Sequence, residues 1–209
     1  MSKRYNRDNR SYKRRVKFRE QRNRFLIVCQ GTETEKNYFN GFKIKLKKNN
    51  IEIICEPVAP DQVVNTAIKR RKNAKKERYN QVWCVFDKDD LTFTDECFNS
   101  AIRTAQSEGI GVAYSNESFE LWFYLHFCYC DSPLSRSVLF KKVKEKFDEN
   151  FRREYEKNDK KILKLLEDKI ETAIRHSSKL YSQYDHKNPA KDNPSTTVHL
   201  LVEKLRGLE

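Results

Sequence analysis

Apolar positions in this chain fall into short continuous runs separated by longer amphipathic stretches, and the alternation repeats four times. Phe25–Cys29 is the first run, closed by Gln30 and Gly31; "IEIICEPVA", "QVWCVFDKDD" and "IGVAYSN" supply three more. Runs this short, unbroken by polar residues, read as strands covered on both faces. The stretches between them read as helices. "TEKNYFNGFKIKLKKNN" carries Tyr38, Phe39, Phe42, Ile44 and Leu46 with loose periodicity, "DQVVNTAIKRRKNAKKERYN" opens on Asp61 as a candidate N-cap, and "DECFNSAIRTAQSEG" stops at Gly109. Strand and helix in alternation imply right-handed crossovers, so the pattern predicts an α/β fold: a mainly parallel four-stranded sheet flanked by helices.

Beyond Asn116 the strand pattern stops. "SFELWFYLHF" places Phe119, Trp122, Phe123 and Phe127 about a turn apart and reads as a buried helix. "SRSVLFKKVKEKF", "KKILKLLEDKIETAIRHSSKL" and "STTVHLLVEKL" come next as amphipathic helices, with Asn193-Pro194-Ser195 marking the start of the last. The expected organisation is a basic flexible N-terminal arm over 1–23, an α/β core over 24–130, and a helical C-terminal part over 131–209 packed on that core. "YSQYDHKNPAKDNPS" between the last two helices is a polar loop, of a length that is often functional.

Charge changes the picture of what the chain meets. The 209 residues carry a formal net charge of +13, and the first 24 hold eleven Lys/Arg against Asp8 and Glu20. An excess of this size, concentrated in one arm and interleaved with Tyr5, Tyr12 and Phe18, points to an anionic partner, nucleic acid foremost. "KRRKNAKKER" at 69–78 is a second basic block, read either as a solvated helix face or as a backbone contact. No run approaches the roughly 18 apolar residues of a membrane span, and the basic start lacks an apolar secretory segment, so the expected setting is cytoplasmic, off the membrane. The six cysteines are scattered without zinc or redox spacing and read as free thiols.

In an open parallel sheet, ligands gather beyond the carboxyl ends of the strands. Acidic clusters stand at three such ends here. The first strand ends in Gln30-Gly31 with Glu33 and Glu35 behind it, the third in Asp87-Lys88-Asp89-Asp90, and the fourth in Ser115-Asn116-Glu117 with Glu120 one turn on. Converging carboxylates are what Mg²⁺ or Mn²⁺ needs in order to polarise a phosphodiester. Each residue also has a plainer reading: Glu33 and Glu35 favour a helix N-terminus, Asp90 caps the next element of the chain, Glu120 pairs with an internal base, and His126 is a hydrogen-bonded core histidine. Asp87 is hardest to explain as mere structure, because an acid directly after "VWCVF" faces desolvation.

"VCQGTETEKNYF", "VFDKDD", "SNESFELWFYLHF" and "NPSTTVHLLVEKL" resemble, in order and spacing, the landmarks of the RloB-like proteins of the wider TOPRIM-like group, from about residue 24 to the C-terminus. The resemblance implies a TOPRIM-like core in an antiviral, abortive-infection setting, similar to the second component of AbiL-type systems, with an AAA- or ABC-type ATPase as partner. The family's EGxxTE falls on Gln30, Gly31, Thr34 and Glu35, and its DxD on Asp87 and Asp89. Gln30 departs from the pattern, for an amide neither transfers a proton at neutral pH nor brings full charge to a cation.

The expected reaction is therefore Mg²⁺-dependent phosphodiester hydrolysis of DNA or RNA. In it Glu35, Asp87, Asp89 and Lys88 are catalytic, Glu35, Asp87, Asp89 and Glu120 hold metal, and Gln30, Gly31, Lys36 and Asn116 contact substrate. The alternative is a non-catalytic nucleic-acid-binding or regulatory subunit, disabled at Gln30 and working with the ATPase. A ribosome- or tRNA-associated factor is a weaker third reading, carried by the arm alone.

Overall fold

The computed structural model describes residues 24–46, 50–74, 78–88 and 93–208. The basic arm, Asp89, Asp90 and part of the 69–78 block lie outside the described residues. Five strands form one sheet in the order β2-β1-β3-β4-β5: β1 Phe25–Cys29, β2 Ile51–Cys55, β3 Gln81–Asp87, β4 Gly111–Asn116 and β5 Ser195–Thr196. The first four are parallel, with Cys29 level with Cys55 and Val85, and Asp87 level with Ser115. The fifth runs antiparallel beside β4.

That fifth strand corrects the expectation of four strands and of a helix starting at 193–195. It is two residues long, too short to leave an alternation in the sequence, and hydroxyls reinforce its pairing. Thr196 Oγ1 donates to the Tyr114 carbonyl at 2.9 Å, and Thr197 Oγ1 donates to that of Val112 at 3.0 Å. The helix after it, α8, runs Val198–Arg206.

The other helices are α1 Thr34–Lys45, α2 Pro60–Asn73, α3 Asp95–Ser107, α4 Glu120–Leu125, α5 Arg136–Phe151, α6 Ile162–Leu166 and α7 Ile170–Tyr181, with a short 3-10 turn joining the last two. Two local expectations shift. Asp61 sits in the first turn of α2 rather than at its cap: Pro60, whose missing N–H costs nothing there, opens the helix and Ala59 precedes it. The cap of α3 is Thr94, whose hydroxyl accepts from the Cys97 N–H, so Asp90 is not needed for it. Among the described residues no helix is long and apolar enough to cross a membrane.

Side chains alternate along each strand, and the two faces of the sheet bury separate clusters. Phe25, Ile27, Cys29, Trp83, Val85 and Ala113 pack with α1 and with the helices from α4 to α8, around a knot of edge-to-face aromatic pairs at Tyr38, Phe39, Phe119 and Phe123. Leu26, Val28, Val82, Cys84, Phe86 and Tyr114 pack with α2 and α3. This alternation continues past the apolar residues and decides which way each polar strand-end residue points.

Candidate functional site

By parity, Asp87 follows Trp83 and Val85 onto the α1/α4 face. There its carboxyl lies within the electrostatic reach of Glu35, in the first turn of α1, and of Glu120, in the first turn of α4. All three are buried, at 8%, 5% and 3% exposure. Burial pushes the Asp87 carboxyl well above its usual range; the neighbouring Glu35 and Glu120 charges push it further, while Arg136 and a hydrogen bond from the Phe119 backbone pull it back. Glu35 is raised as well, by burial first and by Glu120 among its neighbours, against the opposing pull of a backbone hydrogen bond, Lys157 and Arg136. Asp87 Oδ1 is buried without a hydrogen-bond partner.

Two cations edge this group, and neither was singled out in the sequence. Arg136, the first residue of α5, brings a guanidinium nitrogen to 3.9 Å from Asp87 Oδ2; its backbone N–H donates to Glu117 Oε2 at 2.9 Å, which ties the start of α5 to the end of β4. Lys157, on the connection after α5, sets its ammonium 3.2 Å from Glu120 Oε1, and the buried Tyr155 hydroxyl donates to the same oxygen at 3.4 Å. Both cations remain nearly half exposed, at 42% and 47% of their side chains. Acids recessed behind accessible cations form a surface that can receive a phosphate.

Gly31 has a role different from the one its sequence suggests. A methyl group in place of its hydrogen would overlap the carboxylate of Glu35, which folds back over the glycine. The glycine thus makes room for Glu35 itself rather than for an approaching substrate. Glu35 also lies in the first turn of α1, so helix-terminal stabilisation and site membership coincide in one residue. Glu33 is exposed at the N-cap position and makes no capping bond with its side chain.

Other expected site residues point elsewhere, again by parity. Lys88 falls on the α2/α3 face, 2% exposed, with its ammonium 2.9 Å from Asp95 Oδ1 on α3, so Arg136 and Lys157 are the cations that act on the carboxylate group. Asn116, 1% exposed, donates through its amide nitrogen toward the carbonyls of Pro189, Ala190 and Asp192 at 3.1–3.3 Å and fastens the 181–195 loop instead of facing a substrate. Lys36 is exposed on α1, where its charge lowers the pKa of Cys55 after the thiol's hydrogen bond with Cys29. His126 is a core histidine, its Nδ1 2.8 Å from the Trp122 carbonyl, and burial holds its pKa down to about 4.

Gln30 is a fastening. Its Oε1 accepts from the Asp87 backbone N–H at 3.0 Å and its Nε2 donates to the Val58 carbonyl at 3.1 Å, bridging the ends of β1 and β3 to the loop after β2. Only an amide satisfies both partners. Gln30→Glu is therefore expected to destabilise the fold by about 1–3 kcal/mol near neutral pH, since it sets a carboxylate oxygen against a carbonyl. Chemical denaturation of the two proteins measures this, and a variant as stable as the native chain contradicts it.

Among the described residues, no three His, Cys, Asp or Glu side chains are placed to hold a metal ion. Asp89 is not among those residues. The Asp87–Glu35 pair nonetheless has the chemistry of a hard-cation site: oxygen donors, one of them buried and unpartnered, in carboxyls whose charged forms are only partly compensated.

A search of curated proteins finds no match to this chain. The family model described as RloB-like protein matches residues 25–205, which takes in every strand and helix above but for the last residue of α8, and the chain belongs to the RloB-like family.

Proposed function

We propose that this chain is a divalent-metal-dependent nuclease that hydrolyses phosphodiester bonds in DNA or RNA. The observation that carries the reading is Asp87, whose buried, unpartnered oxygen lies in a group with Glu35 and Glu120 and is edged by Arg136 and Lys157. Asp87 and Glu35 would hold Mg²⁺ or Mn²⁺, with Asp89 as a further ligand. The bound cation supplies Lewis-acid stabilisation of charge on the phosphate. Arg136 receives the phosphate at the exposed edge and offsets its charge. Glu35, over the Gly31 turn, completes the cation's shell or orients the attacking water. Glu120, paired with Lys157 and Tyr155, fixes the ammonium beside the phosphate.

The family resemblance extends the proposal to an antiviral, abortive-infection setting and an ATPase partner of the AAA or ABC kind. A second reading, a nucleic-acid-binding or regulatory subunit without catalysis, is favoured by Gln30. At the position where the family pattern has glutamate, its amide is committed to two structural hydrogen bonds.

The test is cleavage of single- and double-stranded DNA and of RNA by the purified chain in Mg²⁺, Mn²⁺ or EDTA, against Asp87→Asn. Cutting that disappears in EDTA and falls at least ~100-fold in the variant is the expected result. No cutting with either metal, alone or with the ATPase present, selects the binding subunit.

A further inference from the structure

The Arg136 cation that reaches Asp87 begins a stripe. Arg136, Phe140 and Lys144 are spaced i, i+4 and i+8 on α5, so they succeed one another along one side of the helix over about 12 Å. The core face of α5 is a different one, formed by Leu139, Val143 and Phe147. Phe140 is partly buried, in an edge-to-face pair with Tyr155 at 5.6 Å between ring centroids. Two ammoniums, those of Lys144 and Lys157, stand 5.5 Å from its ring centre. The side chains of Arg136, Lys144 and Lys157 are 42%, 42% and 47% exposed, and the only acid near Lys144 among the described residues' ion pairs is the exposed Glu154, at a loose 3.8 Å. Cations thus alternate with an aromatic ring on a path that starts at the carboxylate group.

Resting on the nuclease reading, we propose that this side of α5 is the track of a single nucleic-acid strand entering or leaving the Asp87 site. Arg136 and Lys157 take the phosphate nearest the carboxylates, a base stacks on Phe140, and Lys144 takes a neighbouring phosphate. The Lys144 ammonium, held only by the exposed Glu154 at 3.8 Å, turns outward as a base takes its place on the ring, exchanging a cation–π contact for a charge-assisted bond to phosphate, while Lys157 stays on Glu120. A π-face is common to all bases, so the track selects strand state and not sequence. The bases of a duplex are occupied with one another and cannot reach Phe140; a duplex meets the lysines alone.

Binding in EDTA on the Asp87→Asn background separates this from chemistry. The probes are a labelled oligothymidylate, an oligouridylate and a duplex of equal length, read by fluorescence anisotropy over a range of salt. Phe140→Leu keeps the packing and removes the π-face; it is expected to weaken both single strands about 5- to 100-fold and leave the duplex unchanged, with Phe140→Trp restoring them. Lys144→Gln is expected to weaken all probes and lower the salt slope by about one. Equal effects of Phe140→Leu on strand and duplex, an unaltered salt slope in Lys144→Gln, or binding of duplex only would overturn the track. Strand binding with these signatures but no cleavage by the native chain would remove the nuclease reading and keep the track.

Discussion

Asp87→Asn is expected to melt at a higher temperature than the native chain at neutral pH in EDTA, while losing whatever metal-dependent cutting the native chain has. The reason lies in the direction of the carboxyl's shift. Burial, then Glu35 and Glu120, disfavour its charged form, so ionised Asp87 is a cost the fold carries. An amide of the same shape carries no charge to desolvate. The gain is read directly as a rise in Tm.

The pH dependence has a defined sign. Asp87 and Glu35 titrate higher folded than unfolded, so between the two values the folded chain binds protons that the unfolded chain has lost. Their stabilising contribution is full below the unfolded values near 4 and declines as pH rises through the folded ones. Native stability in EDTA should therefore fall across that window more steeply than that of Asp87→Asn. Mg²⁺ should raise the native Tm increasingly with pH, as ligands must be deprotonated to bind, and leave the variant nearly unmoved. Thermal melts over the pH series, with and without Mg²⁺, read all of this. A variant less stable than the native chain in EDTA at every pH would show that Asp87 is structurally compensated.

The same strand-end logic explains how much of the site was legible in the sequence. The four apolar runs located β1 to β4, and the position of acids at their ends located Asp87, Glu35 and Glu120 on one rim of the sheet. The alternation that makes a strand a strand carried more than that. Counting by twos from Trp83 puts Asp87 with α1 and α4 and turns Lys88 to the opposite face, where Asp95 meets it. Counting from Ala113 turns Asn116 away in the same manner, toward the 181–195 loop, and counting from Cys29 turns Gln30 toward Val58. Lys88, Asn116 and Gln30 were therefore separable from Asp87 by parity alone. Arg136 and Lys157 were not. They are two of 43 Lys/Arg, they come from a helix start and a connection far along the chain, and what marks them is proximity to carboxylates that only the packed structure brings together. β5 escaped for a related reason: its two residues pair with β4 through the backbone and the Thr196 hydroxyl, which no periodicity records.

Gly31→Ala should be the most damaging single-methyl change in the site, and for a reason opposite to the usual one for a strand-end glycine. At Gly31 the obstacle is not backbone strain but space, because the Glu35 carboxylate occupies the volume a methyl group would fill. The variant has to swing Glu35 outward or displace the turn between β1 and α1. If Glu35 swings, Asp87 loses one of the charges that raise its pKa, so its carboxyl titrates lower than in the native chain, and the pair that would share a cation is parted. The expected outcome is a loss of at least ~100-fold in metal-dependent cleavage, as for removal of a principal charged group, together with loss of the Mg²⁺-induced rise in Tm. Glu35→Gln separates the two possibilities: it keeps the side chain over the glycine and removes only the charge. Gly31→Ala in the Glu35→Ala background should then cost little further activity, because the methyl group has nothing left to displace. A double variant whose losses multiply instead would mean that Gly31 serves the site through its backbone and independently of Glu35.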